Sequence, residues 1–101
     1  MIHVIASITV KASEREAFLE IFKANASKVL KEEGCLEYSA TVDFPTEVPI
    51  QETNPNAVKV VEKWETFPHL QAHFTAPHIL EYKTKVEDMV EDVSLKILED
   101  A

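Results

Sequence analysis

Glycine is nearly missing from this chain: Gly34 is the only one in 101 residues. That excludes the glycine-rich phosphate cradles of both the dinucleotide and P-loop kinds, which need backbone free of Cβ against the phosphates. Cysteine is as scarce, with Cys35 alone, so neither an intrachain disulfide nor a Cys-paired zinc site can form. Positive charge is short too, with 10 Lys and Arg against 18 Asp and Glu, a net charge of -8 and a pI near 4.9. Nucleic-acid affinity rests on Lys and Arg neutralising phosphates, so this balance argues against a nucleic-acid partner. No basic amphipathic helix offers a grip on anionic lipid. The opening MIHVIASITV reads as an alternating strand with no basic region before it, which indicates neither secretion nor membrane spanning. The expectation is a cytoplasmic protein with its thiol in a reducing compartment.

What is present is an ordinary globular mixture, 46% hydrophobic and 28% charged, sized for one domain over residues 1–101. Even positions from Ile2 to Val10 are apolar, which predicts a strand with one buried face. Ser13 with Glu16 predicts a capping box. Phe18, Ile21, Phe22, Ala26, Val29 and Leu30 follow at helical spacing, and Gly34 is expected to cap the helix end. Cys35 to Asp43 alternates as a second strand. Phe44 to Asn56 carries Pro45, Pro49 and Pro55 and predicts a long irregular loop, either functional or a tolerated insertion.

A third strand spans Ala57 to Glu65. Thr66 and Pro68 open a short helix through Phe74, and Thr75 with Pro77 starts another, with Ile79, Tyr82, Val86, Met89 and Val90 as its apolar stripe. Val93 to Leu98 reads as the last strand. The order is βαββαβ: an α+β, ferredoxin-like arrangement with an antiparallel four-stranded sheet and helices on one face. The other face would present Ile5, Cys35, Val61 and Leu98, which a homodimer through the sheet face would cover.

The stretch EKWETFPHLQAHFTAPH, Glu62 to His78, holds the only tryptophan and three of the four histidines. Glu62 and Trp64 share the parity of Val58 and Val60, so a carboxylate is carried to the apolar side of its strand. His69 and His73 stand one helical turn apart and with His78 could in principle bind metal, though on short segments. We assign no metal. Cys35 follows an acidic run that would raise a thiol pKa, and it reads as a packing residue.

The runs VLKEEGCLEY, VVEKWE and HLQAHFTAPH, in this order, resemble the antibiotic biosynthesis monooxygenase domain family, in particular its small bacterial quinol monooxygenase-type members. The resemblance implies ferredoxin-like subunits paired into a dimeric α/β barrel. It also implies oxygenation of a quinol, anthrone-like or related aromatic phenol with O2 and no cofactor. On that reading His73 is the catalytic base and Glu62 orients it. Trp64, His78, Phe22, Tyr38 and Phe74 contact the substrate in a shared apolar hollow. Each also has a plainer reading, as a hydrogen-bonded structural histidine, a structural carboxylate or simple core. Some relatives degrade haem with an Asn, a Trp and a His, where this chain has Ala6, His73 and Lys83 and so departs from the pattern. Other relatives isomerise a phosphorylated sugar, which leaves an isomerase or tautomerase open beside a non-catalytic ligand-binding dimer.

Overall fold

The computed structural model describes residues 1–101. The strands are β1 (Ile2–Val10), β2 (Cys35–Thr41), β3 (Ala57–Trp64) and β4 (Val90–Glu99). The first crossover is α1 (Arg15–Val29), and the second is split into α2 (Phe67–Phe74) and α3 (Pro77–Val86). All strand pairs are antiparallel, in the order β2-β3-β1-β4. This is the ferredoxin-like sheet expected from the sequence. The β1/β3 register sets Val4 opposite Glu62, Ala6 opposite Val60 and Ile8 opposite Val58. All six side chains are buried, because period two turns them to one face. Phe18, Phe22 and Val29 from α1, Leu70 from α2, and Ile79 and Val86 from α3 close the core over them. Phe18, with no exposed surface, contributes about 2–3 kcal/mol by its burial.

Several local expectations fail for identifiable reasons. The capping box at Ser13 and Glu16 does not form. Glu14 is the N-cap and makes no side-chain bond. Ser13 sits at φ 71° in a tight turn where the Glu14 N–H donates to Lys11 O at 3.0 Å; a capping serine needs extended backbone. The helix ends with Leu30 as its C-cap, before Gly34. That glycine, at φ 79°, instead turns the chain into β2.

A register shift between Cys35 and Glu37 leaves Leu36 exposed and packs Cys35 against the core. The extra residue of a bulge reverses side-chain parity before it, so Cys35 is not on the uncovered sheet face. Burial, with Glu32 and Glu62 nearby, pushes its thiol up to about 11. β2 stops at Thr41. Met89 and Val90 leave the helical stripe, since α3 ends at Val86 and Val90 already opens β4. Lys11 N–H donates to Met89 O at 2.9 Å and fixes that turn. Along β4, Val93, Leu95 and Ile97 face the helix side but stay 58%, 44% and 42% exposed, because the helices cover the other edge, over β2 and β3. No helix is long and apolar enough to cross a membrane.

Candidate active site

The alternation that buries Val58 and Val60 carries Glu62 and Trp64 to the same side. Trp64 is fully buried and Glu62 nearly so. The indole Nε1–H donates to Glu62 Oε1 at 3.0 Å, giving the buried carboxylate a partner. Burial pushes this carboxyl up to about 7, with the indole bond pulling down and Glu32 adding to the rise. Near neutral pH, Glu62 is therefore shared between its two protonation states.

α2 brings the imidazole. Thr66 caps it by accepting from the His69 N–H at 3.4 Å, with Pro68 in the first turn. His73, in the last turn, is 5% exposed. Its ring centroid lies 4.9 Å from that of Trp64 and 5.5 Å from that of Tyr38. Its hydrogen-bond partner is Glu32, so the orienting role expected of Glu62 falls to a different carboxylate. His73 Nδ1–H donates to Glu32 Oε2 at 2.9 Å, and His78 Nε2–H, from the start of α3, donates to the same oxygen at 2.7 Å. A carboxylate only accepts, so each ring keeps its proton on the nitrogen facing Glu32, and the lone pairs fall on His73 Nε2 and His78 Nδ1.

Burial lowers the pKa of His73, against the opposing pull of Glu32. The ring is thus neutral at pH 7 and free to accept a proton. Nε2 has no protein partner and is not sealed from solvent. Glu32 escaped the sequence reading because KEEG reads as a solvated acidic run. The available signal was its place in VLKEEGCLEY, two residues before the only glycine.

The remaining expected residues are gathered here, but as packing. Phe22 stacks on Tyr38 with centroids 5.1 Å apart, and Phe74 lies 6.1 Å from His73. Burial, with Glu62 beside it, drives the Tyr38 hydroxyl well above its ordinary pKa. Trp64, Phe22 and Tyr38, expected to wall an apolar hollow, belong to the core, and Phe74 packs against it. Two cavities lie elsewhere. One of about 470 Å³ opens between α1 and α3 and is lined in part by His78. Another of about 500 Å³ lies between α3 and the β1–β4 side, against Ile8, Val86 and Val93. His69 pairs with Thr66 Oγ1 at 2.8 Å, away from Glu32, and no group of three His, Cys, Asp or Glu side chains is placed to hold a metal ion.

Residues 1–85 match the profile of the family described as antibiotic biosynthesis monooxygenase. The chain belongs to the antibiotic biosynthesis monooxygenase family. It is 36% identical over 101 residues, 98% of this chain and 97% of the relative, to "Probable quinol monooxygenase YgiN" of Escherichia coli K12. The protein of that name in Shigella flexneri matches equally. Among solved structures, a conserved protein of Methanosarcina mazei Go1 superposes with a TM-score of 0.85 at 23% identity, covering 99% of this chain and 92% of that one. PA3566 of Pseudomonas aeruginosa superposes at 0.82 and 22% identity, covering 99% and 93%. The resemblance carried by VLKEEGCLEY, VVEKWE and HLQAHFTAPH is thus confirmed. Within this family frame the chain assembles a neutral imidazole held by a carboxylate, a second imidazole on the same oxygen, and a carboxyl poised near neutrality beside an indole. Such a group can take a proton from an acidic hydroxyl.

Proposed function

We propose that the chain is a monooxygenase that uses O2 to oxidise a quinol, anthrone-like or related aromatic phenol without a cofactor. The observation that carries this is the Glu32 carboxylate holding both His73 and His78 by their protonated nitrogens, which leaves a neutral, unpartnered lone pair on His73 Nε2. The name of the E. coli relative supports the substrate class. His73 removes the hydroxyl proton, and the electron-rich anion passes one electron to O2. The resulting radical pair recombines at ring carbon. In the net reaction an anthrone's ring CH2 and O2 become a ring C=O and water, and a quinol with one ring CH and O2 become the hydroxyquinone and water, with all four electrons drawn from the substrate. Dry surroundings protect the pair from water.

The working unit on this reading is a cytoplasmic homodimer of single-domain chains, residues 1–101, paired through the sheet face that carries Ile5, Val61 and Leu98. A second reading, an isomerase or tautomerase of a small keto compound, is favoured by the two imidazoles on one carboxylate, an arrangement suited to acid–base exchange. The test is oxygen uptake and product mass with a panel of quinols and anthrones, with and without O2. The expected outcome is O2 consumption with gain of one oxygen atom, abolished in His73→Ala while far-UV circular dichroism is unchanged. Undiminished uptake by the variant would remove His73 from the chemistry. Turnover that continues anaerobically would favour the isomerase, and ligand binding with no product would leave a binding protein.

A further inference from the structure

One residue on the buried stripe of α1 is out of place. Phe18, Phe22 and Val29 face the core, and Asn25 stands among them at the same helical spacing, only 9% exposed. Its Nδ2 is the single buried side-chain polar atom in the protein without a hydrogen-bond partner. An orphaned donor costs free energy that an apolar residue of similar shape would spare, so an account is needed of what it meets. Asn25 also lines the α1/α3 cleft, beside Ile21, Ala24 and Lys28 of α1, with His78 and Tyr82 opposite. A cleft of about 470 Å³ is in the size range of small-molecule sites. It is not isolated from the imidazole pair: His78, which forms part of its wall, shares its Glu32 oxygen with His73.

We infer that this cleft takes the substrate, with the Asn25 carboxamide donating to one oxygen of a small aromatic and His78, the one imidazole in the cleft wall, facing the oxygen at the opposite end. The inference rests on the oxygenase reading and adds to it both a place of binding and a specificity-determining residue. Ile21, Ala24 and Tyr82 supply the apolar walls that a flat ring needs. The Asn25 Oδ1 is neither partnered nor sealed, so a half-turn about the terminal side-chain bond exchanges oxygen and nitrogen at the cleft without changing shape. An acceptor on the ligand would then satisfy the donor, and an under-satisfied carbonyl left behind is the more tolerable orphan. Of the charged groups around the cleft, Lys85 is paired with Glu81 at 3.2 Å. Lys28 has no ion pair, and the carboxylates of Glu20 and Glu81 also line the cleft, so the site suits a neutral quinone or a singly charged phenolate rather than a dianion. The chemical class is therefore a one- or two-ring aromatic carrying two oxygens across the ring, and a compound with one oxygen gains nothing from Asn25.

The test is binding, separate from turnover. Wild-type protein is titrated with 1,4-naphthoquinone and with 1-naphthol while the Asn25 side-chain amide is followed by NMR, and the titrations are repeated on Asn25→Leu. The expected result is a shift of the Asn25 amide with the quinone, at least a tenfold loss of quinone affinity in the variant, and unchanged affinity for 1-naphthol. The variant should also melt no lower than the parent, since it completes the apolar stripe. Equal quinone affinity in the variant, or quinone-induced shifts that leave the Asn25 amide unmoved, overturns the inference. The wild-type amide shift decides the matter even if the variant fails to fold. Quinol oxidation that survives in Asn25→Leu with unchanged kinetics sinks the cleft assignment and spares the oxygenase, whereas an Asn25-dependent quinone site in a protein that consumes no O2 does the reverse.

Discussion

Glu62 carries a cost at neutral pH that its neighbours do not remove. Folded, the carboxyl holds its proton up to about 7, while unfolded it releases it near 4.5. Between those values the folded state binds the extra proton, so stability falls as pH rises through the window and stays lower above it. Glu62→Gln keeps an acceptor for the Trp64 indole and carries no charge. It should nearly match the parent at pH 4.5 and exceed it by about 3–4 kcal/mol around pH 8, at roughly 1.4 kcal/mol per pH unit of displacement. Urea unfolding at the two pH values measures this, and a parent as stable as the variant at the higher pH would contradict it. His73 works in the opposite sense. Its folded pKa lies below 6.5, so its contribution is present above that value and is lost as pH falls. Glu62 and Trp64 were legible in the sequence because strand parity alone puts them on the buried face. Glu32 was not, since its partners His73 and His78 stand 41 and 46 positions away and nothing local marks it as half-enclosed.

At the scale of elements, the turn before β2 sets where Glu32 points. Gly34 lies at φ 79°, and a Cβ there would stand 2.3 Å from His69 Cγ. Its carbonyl accepts from the Glu65 N–H at 2.9 Å, which ties the turn to the end of β3. Gly34→Ala should therefore cost about 1–2 kcal/mol for the left-handed backbone alone, and more as His69 is displaced. Thermal unfolding would show it as a lowered midpoint, and an unchanged midpoint would mean that the turn adapts freely. The boundaries of α2 and α3 were legible because Thr66, Pro68 and Pro77 act through their own backbone and side-chain chemistry. The start of α1 was not: Ser13 and Glu16 match a capping box in spacing, but the turn out of β1 forces Ser13 into a conformation from which it cannot cap. The bulge at Leu36 was hidden in the same way, because alternation continues through it on paper while the β2–β3 pairing shifts by one.

At the scale of the molecule, two apolar surfaces remain uncovered besides the β4 stripe of Val93, Leu95 and Ile97. The face away from the helices presents Ile5 and Leu98, 37% and 44% exposed, with Val61 half-buried between strands. The loop between β2 and β3 holds Phe44, Val48 and Ile50 at 77%, 55% and 91% exposure. That loop is braced by its own bonds, the Asn54 N–H donating to Asp43 Oδ2 at 2.7 Å and Gln51 Nε2 donating to Phe44 O at 2.9 Å. Its three prolines lower the entropy lost on docking. The half-apolar sheet face was readable from odd-position residues, but the loop's exposed side chains were not, since proline content predicts irregular backbone and not what the side chains touch. In a two-fold pairing through the sheet each substitution acts twice. Ile5 is flanked in register by Val61 and Lys96, so Ile5→Glu would place a carboxylate that one chain tolerates beside its lysine but that the pair must bury in duplicate. Sedimentation at micromolar concentration should give the parent twice the 11.4 kDa of one chain, and the variant close to that single mass with its circular dichroism intact. Raising the salt should tighten the parent pair, because two chains of net charge -8 repel each other at low ionic strength. A parent that sediments as a monomer under both conditions would leave the uncovered face without the partner proposed for it.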